Sequence, residues 1–170
     1  MDAELIASFC AERGPPGWHP HAPELRELQA VVRRLDALVE MRTMEENRPS
    51  SGIIVEAVRA SVEDVLAHLT EQIKKTEALI RDQIDRHPGL KRQRELLDSI
   101  PGVGETTAVL MAEVPDITQY RSARQVAAFA GLVPRGRQSG SSVRGRVRLS
   151  KIGNARLRKA LYFPAVTALH

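Results

Sequence analysis

Acidic residues are missing from the whole final stretch of this 170-residue chain: no Asp or Glu occurs between Ile117 and His170. Aromatics are scarce throughout, at 4%. A core of stacked rings is therefore excluded, and Leu, Val, Ile and Ala must do the packing, which favours helices. Cysteine is represented by Cys10 alone. One thiol excludes an internal disulfide and any multi-cysteine zinc site, and fits a reducing, cytoplasmic setting. Long hydrophobic runs are missing too. The longest apolar stretch, residues 160–169, is too short to span a bilayer and contains Pro164. Met1 is followed at once by Asp2, unlike a signal peptide. A soluble protein with no membrane partner is expected.

Apolar residues make up 42% and charged residues 27%, enough apolar surface to offset the ordering entropy of a folded chain. The net charge of +4 conceals a division. Residues 1–116 hold 14 Lys and Arg against 21 Asp and Glu, a net of −7; residues 117–170 hold 11 Lys and Arg and no acid, a net of +11. A segment of that charge with apolar residues such as Val126, Phe129, Leu132 and Val133 reads as a polyanion-binding surface rather than a solvated tail. A membrane surface fits less well, since there is no basic amphipathic helix with Trp or Phe.

Apolar spacing organises the chain. Residues 2–12 suit a short helix stopped by Gly14-Pro15-Pro16-Gly17. Pro23 and Glu24 suit a helix start, and Leu25, Leu28, Val32, Leu35 and Val39 form a helical seam broken at Pro49-Ser50-Ser51-Gly52. A second long helix is predicted from Ile54 to Arg86, lined by Val58, Val62, Leu66, Leu69, Ile73, Ile80 and Ile84. Two such helices imply an antiparallel hairpin or coiled coil, and a boundary follows at His87-Pro88-Gly89. Downstream, a helix enters a Pro-Gly-x-Gly turn and another leaves it towards Val114; residues 116–130 read as a further helix, residues 131–145 as a loop, residues 143–149 as a short strand, and Gly153-Asn154 as the cap of a last helix.

Two stretches suggest chemistry. Ile100-Pro101-Gly102-Val103-Gly104 between apolar helices resembles a helix-hairpin-helix, in which Gly102 and Gly104 would let backbone N–H groups approach a phosphate. Such contacts position a duplex without reading its bases. The segment from Pro134 to Arg146 places Ser139, Ser141 and Ser142 among glycines and arginines. Arginines there can stabilise charge on a transferred phosphoryl group. A serine is a weak nucleophile without a base or metal, and this segment supplies neither, so the residues by themselves favour phosphate-contacting serines. His19 and His21 lack partners for a metal site. The candidate contacts to a nucleic-acid backbone are Gly102, Gly104, Arg121, Arg124, Arg135, Arg137, Arg144, Arg146, Arg148, Lys151, Asn154, Arg156 and Arg158.

An ordered series then carries a resemblance: Ile100 to Gly104, Arg121-Ser122-Ala123-Arg124-Gln125-Val126-Ala127-Ala128-Phe129-Ala130-Gly131-Leu132-Val133-Pro134, Gln138-Ser139-Gly140, and Ser150-Lys151-Ile152-Gly153-Asn154-Ala155-Arg156-Leu157-Arg158. It resembles the C-terminal transposase domain of the insertion-sequence one-ten family, whose relatives include the Piv-type invertases. The resemblance implies DNA strand exchange in transposition, in some members guided by a bridge RNA. It implies that a serine, matched here by Ser139 ahead of Ser141 and Ser142, attacks the phosphodiester. It also implies that magnesium is held by the carboxylates of a RuvC-like domain, of which Asp2 matches the last. The earlier acids are absent from this sequence, so the chain by itself is expected not to cleave DNA.

The expected architecture is all-α. It comprises a remnant of the RuvC-like domain over residues 1–14, a helical hairpin or coiled-coil linker over 22–88 that also suits homo-oligomer formation, and a compact helical transposase domain over 90–170. That domain contains the helix-hairpin-helix and has room for one short β-hairpin. The alternatives are a non-catalytic nucleic-acid-binding module and a coiled-coil interaction protein.

Overall fold

The structure, a computed structural model, describes residues 2–14, 17, 20–48, 55–114, 116–139 and 143–169. Helix α1 (Asp2–Arg13) carries Leu5, Ile6 and Phe9 exposed. Helix α2 (Pro23–Asn47) opens with proline in its first turn and Glu24 beside it, where the fixed φ and the negative charge suit a helix N-terminus. Helix α3 (Glu56–Arg86) follows. The two pack antiparallel, because ascending residues of one meet descending residues of the other. Leu28 and Val32 cluster with Ile80 and Ile84, and Leu38 clusters with Leu69 and Ile73. The hairpin thus closes within one chain. Its seam is buried at Leu38, with Leu35 and Val39 partly buried against the same cluster, and Val58 lies exposed. Thr76 interrupts the apolar row and satisfies its hydroxyl by donating to Gln72 O at 2.8 Å.

Helices α3 and α4 (Pro88–Asp98) share one hinge residue. His87 is extended, at φ −114° and ψ 106°, because Pro88 bars it from the helical region, and Pro88 then begins α4. A 3-10 turn (Gly104–Thr106) leads into α5 (Thr107–Glu113). No packing break separates this region from the long pair: Leu28, Val32, Ile80, Ile84, Leu90, Met111 and Ala112 form one buried cluster. Burying each of the large side chains stabilises the fold by about 1.5–3 kcal/mol. Gln29 Nε2 adds a bond to Ala112 O at 2.8 Å. A second cluster, Val103, Leu110, Val114, Ala130, Leu157 and Ala160, joins α5 to the C-terminal elements.

Three segments differ from the expected local structure. The single helix expected over 116–130 is a 3-10 turn (Ile117–Gln119) followed, after extended residues, by α6 (Ala123–Phe129). The Asp116 carboxylate accepts from Thr118 N at 2.9 Å and closes the first turn; Gln125 Oε1 accepts from Arg121 N at 2.6 Å and starts the second. The loop expected over 131–145 contains a strand, β1 (Pro134–Ser139), paired antiparallel with β2 (Val143–Leu149). The last helix is two pieces, α7 (Ala155–Ala160) and α8 (Tyr162–Thr167), the second holding Pro164, which has no N–H to continue the ladder. The described residues are otherwise mostly helical, as expected. Among the described residues no helix is long and apolar enough to cross a membrane.

Candidate nucleic-acid interface

The β-hairpin stands at the centre of the acid-free segment. Its register sets Pro134 opposite Leu149, Arg135 opposite Arg148, Arg137 opposite Gly145, Gln138 opposite Arg144 and Ser139 opposite Val143, with an irregularity between Arg135 and Arg137. Side chains alternate between faces along a strand. Arg146 and Arg148 therefore share a face with Arg135, and Val147 and Leu149 occupy the other. Arg135, Arg146 and Arg148 are exposed, as are Val147 and Leu149. Like charges set directly across a sheet pair are destabilising. Among the described residues the only ion pairs of the acid-free segment belong to Arg156, so Arg135 and Arg148 face one another without an internal counter-ion. Arg121, Arg124 and Lys151 are exposed as well.

The base of the hairpin is fastened to the helices. Ser150 N donates to Val133 O at 2.9 Å, Lys151 N to Gly131 O at 3.0 Å, and Asn154 N to Phe129 O at 2.7 Å. Lys151 adopts φ 55°, a left-handed conformation uncommon outside glycine. Gly153 has φ 146°, and a Cβ there would lie 2.3 Å from Phe129 O. Only glycine fits this approach.

Three of the expected backbone contacts are turned inward. Asn154 caps α7, its Oδ1 accepting from Leu157 N at 3.0 Å, while Nδ2 donates to Glu113 Oε2 at 2.6 Å. Arg158 Nη1 donates to Ala130 O at 2.8 Å. Arg156 Nη1 lies 3.4 Å from Asp36 Oδ2 and 3.9 Å from Glu113 Oε1, joining α7 to α2 and α5. Burial pushes the Asp36 carboxyl above its ordinary value, against the opposing pull of Arg156 and Lys159. Spacing alone gave no sign of this network, because its acids lie between 41 and 120 positions before the residues they meet; an acid, Glu113, on an apolar helix was the available clue.

The Pro-Gly-x-Gly turn does join two helices, with different roles for its glycines. Gly102 has φ 81°, and Thr167 of α8 covers it, so that a Cβ would lie 2.8 Å from the threonine's Cβ. Gly104 is open. The anion beside the start of α5 is the chain's own: Thr107 Oγ1 donates to Asp98 Oδ1 at 2.7 Å.

Ser139 ends β1; Ser141 and Ser142 lie outside the described residues, and the side chains of Ser139, Arg137, Arg144 and Asp2 are likewise outside what is described. Among the described residues no three His, Cys, Asp or Glu side chains gather to hold a metal ion, so these residues do not fit a magnesium site.

Residues 94–170 match the Transposase IS116/IS110/IS902 family, the one-ten family of the sequence resemblance. Over 167 residues the chain is 31% identical to the pilin gene-inverting protein of Moraxella bovis, covering 98% of this chain and 51% of that protein. It is 32% identical to the transposase for insertion sequence element IS1111A of Coxiella burnetii, covering 94% of this chain and 51% of that protein. It is 30% identical over 152 residues to an insertion element IS110 uncharacterized 43.6 kDa protein of Streptomyces coelicolor, covering 89% of this chain and 35% of that protein. The chain spans about half the length of the first two.

Proposed function

The chain belongs to the IS116/IS110/IS902 family of transposases, and from that premise we propose that its C-terminal region grips the sugar-phosphate backbone of DNA during strand exchange. The observation that carries this reading is the exposed arginine face of the hairpin, where Arg135 stands across from Arg148 with Arg146 beside them. Guanidinium groups match phosphate oxygens in planar, bidentate fashion. A phosphate lying between the facing arginines turns their mutual repulsion into shared attraction. Arg121, Arg124 and Lys151 contribute further phosphate contacts; Asn154, Arg156 and Arg158 act by holding the hairpin base. The domain limits suggested by the sequence, with a linker over 22–88 and a transposase domain over 90–170, remain part of this proposal, as do a bridge RNA and self-association through the long helices.

Ser139 is the proposed nucleophile. Its hydroxyl oxygen forms a bond to phosphorus, the strand's bridging P–O bond breaks, and the departing oxygen leaves as a hydroxyl that carries the proton. The described residues offer no base or metal site to drive this step. The activating group belongs to a carboxylate domain of the kind implied by the resemblance. The test is a detergent-stable protein–DNA adduct, sought with this chain joined to such a domain. It should disappear in Ser139→Ala and survive in Ser141→Ala and Ser142→Ala; loss in either of the latter alone would move the nucleophile.

A further inference from the structure

We propose that the cleft beside Tyr120 holds an unpaired nucleobase of the bound DNA strand, an inference that rests on the nucleic-acid reading above. The cleft, of about 490 Å³, lies at the start of α6 and is lined by Ile117, Tyr120, Val126, Leu132 and Leu161, with Arg121 as its cation. The half-buried Tyr120 ring is braced by Phe129, with ring centroids 5.8 Å apart and planes tilted by 50°. An apolar slot with one fixed aromatic wall suits the flat face of a base, which any of the four bases presents.

Charge selects this occupant over an apolar segment of protein. The cleft sits in the segment that holds 11 cations and no acid, and four of the chain's six aromatic residues are there. Exposed Arg121 can meet the phosphate attached to a base seated in the slot. Its backbone N–H is taken by Gln125 Oε1, and the Ser122 hydroxyl at the head of α6 makes no capping bond and remains free to meet a base edge. The acid just upstream, Asp116, is tied to both the N–H and the hydroxyl of Thr118. A fully paired duplex offers no base to the slot, so the cleft confers a preference for DNA with an unpaired nucleotide.

The experiment uses the full chain and duplexes carrying a single bulged 2-aminopurine, with an abasic bulge and a fully paired duplex as controls. Binding should quench the bulged probe, and the bulged base should bind about fivefold or more tightly than the abasic bulge. Tyr120→Leu, which keeps apolar volume but removes the ring, should bring that ratio to one. Ala123→Leu, at an exposed position on the rim, should do the same by narrowing the slot, and circular dichroism verifies that each variant is folded. Equal affinity for base and abasic probes in the unmodified chain overturns the proposal, as does a preference that survives both variants; the backbone-binding reading stands if the paired duplex still binds. Failure to bind any of the three DNAs overturns both.

Discussion

Asn154 donates from Nδ2 to Glu113 Oε2 at 2.6 Å while its Oδ1 caps α7, so one amide joins the last turn of α5 to the first turn of α7. Removing the amide in Asn154→Ala should cost about 1–2 kcal/mol. Asn154→Asp separates the two roles. Aspartate caps a helix as well as asparagine does, but here it would set a second carboxylate against Glu113. Thermal melts at neutral pH should show Asn154→Asp destabilised, with most of the loss restored in the Glu113→Gln double variant. A fully stable Asn154→Asp protein would show that the contact with Glu113 is immaterial.

The facing pair Arg135 and Arg148 predicts opposite effects on stability and binding. Arg148→Ala should leave stability unchanged or raise it by about 0.2–1 kcal/mol, because it relieves a like-charge cross-strand pair. The same variant should weaken DNA binding and reduce the magnitude of the salt slope by about 1. Denaturant melts and salt-dependent binding on one preparation check both signs.

Glycines of similar appearance should respond differently. Gly153→Ala forces a Cβ against Phe129 O in a backbone region closed to side chains, and should cost about 3 kcal/mol or more. Gly104→Ala meets open space and should change stability by less than about 0.5 kcal/mol. Chemical denaturation of the two variants gives the comparison.

Asp36 and Asp116 should titrate in opposite directions. Burial raises the Asp36 carboxyl, so the folded chain holds that proton more tightly than the unfolded chain. Its contribution is therefore present at low pH and lost as pH rises through the raised folded value. Hydrogen bonds from Thr118 lower Asp116 instead, so its contribution is present above the ordinary value and lost as pH falls through the depressed one. Carboxyl NMR titration should find the two midpoints on either side of the ordinary aspartate value, and Arg156→Gln should move Asp36 higher still.

The elements most legible in the sequence are those with local causes. The seams through Leu28, Val32, Ile80 and Ile84 announce the long pair, and Asn154 is recognisable as a cap because its partner lies three residues away. The strand β1 was not legible, since Pro134 to Ser139 has no apolar alternation and takes its form from pairing with β2. The break before α6 depends on the side chains of Asp116 and Gln125 choosing backbone partners, which helical periodicity does not register. Within the candidate site, counting cations identified the surface but could not distinguish exposed Arg148 from Arg156, which Asp36 and Glu113 draw inward.

Backbone binding requires the acid-free third to make several phosphate contacts at once. The direct measurement is the affinity of the chain for a short DNA duplex across a series of monovalent salt concentrations. With about five phosphates neutralised, log K should fall against log salt with a slope near −4 to −5. A flat response would contradict the account.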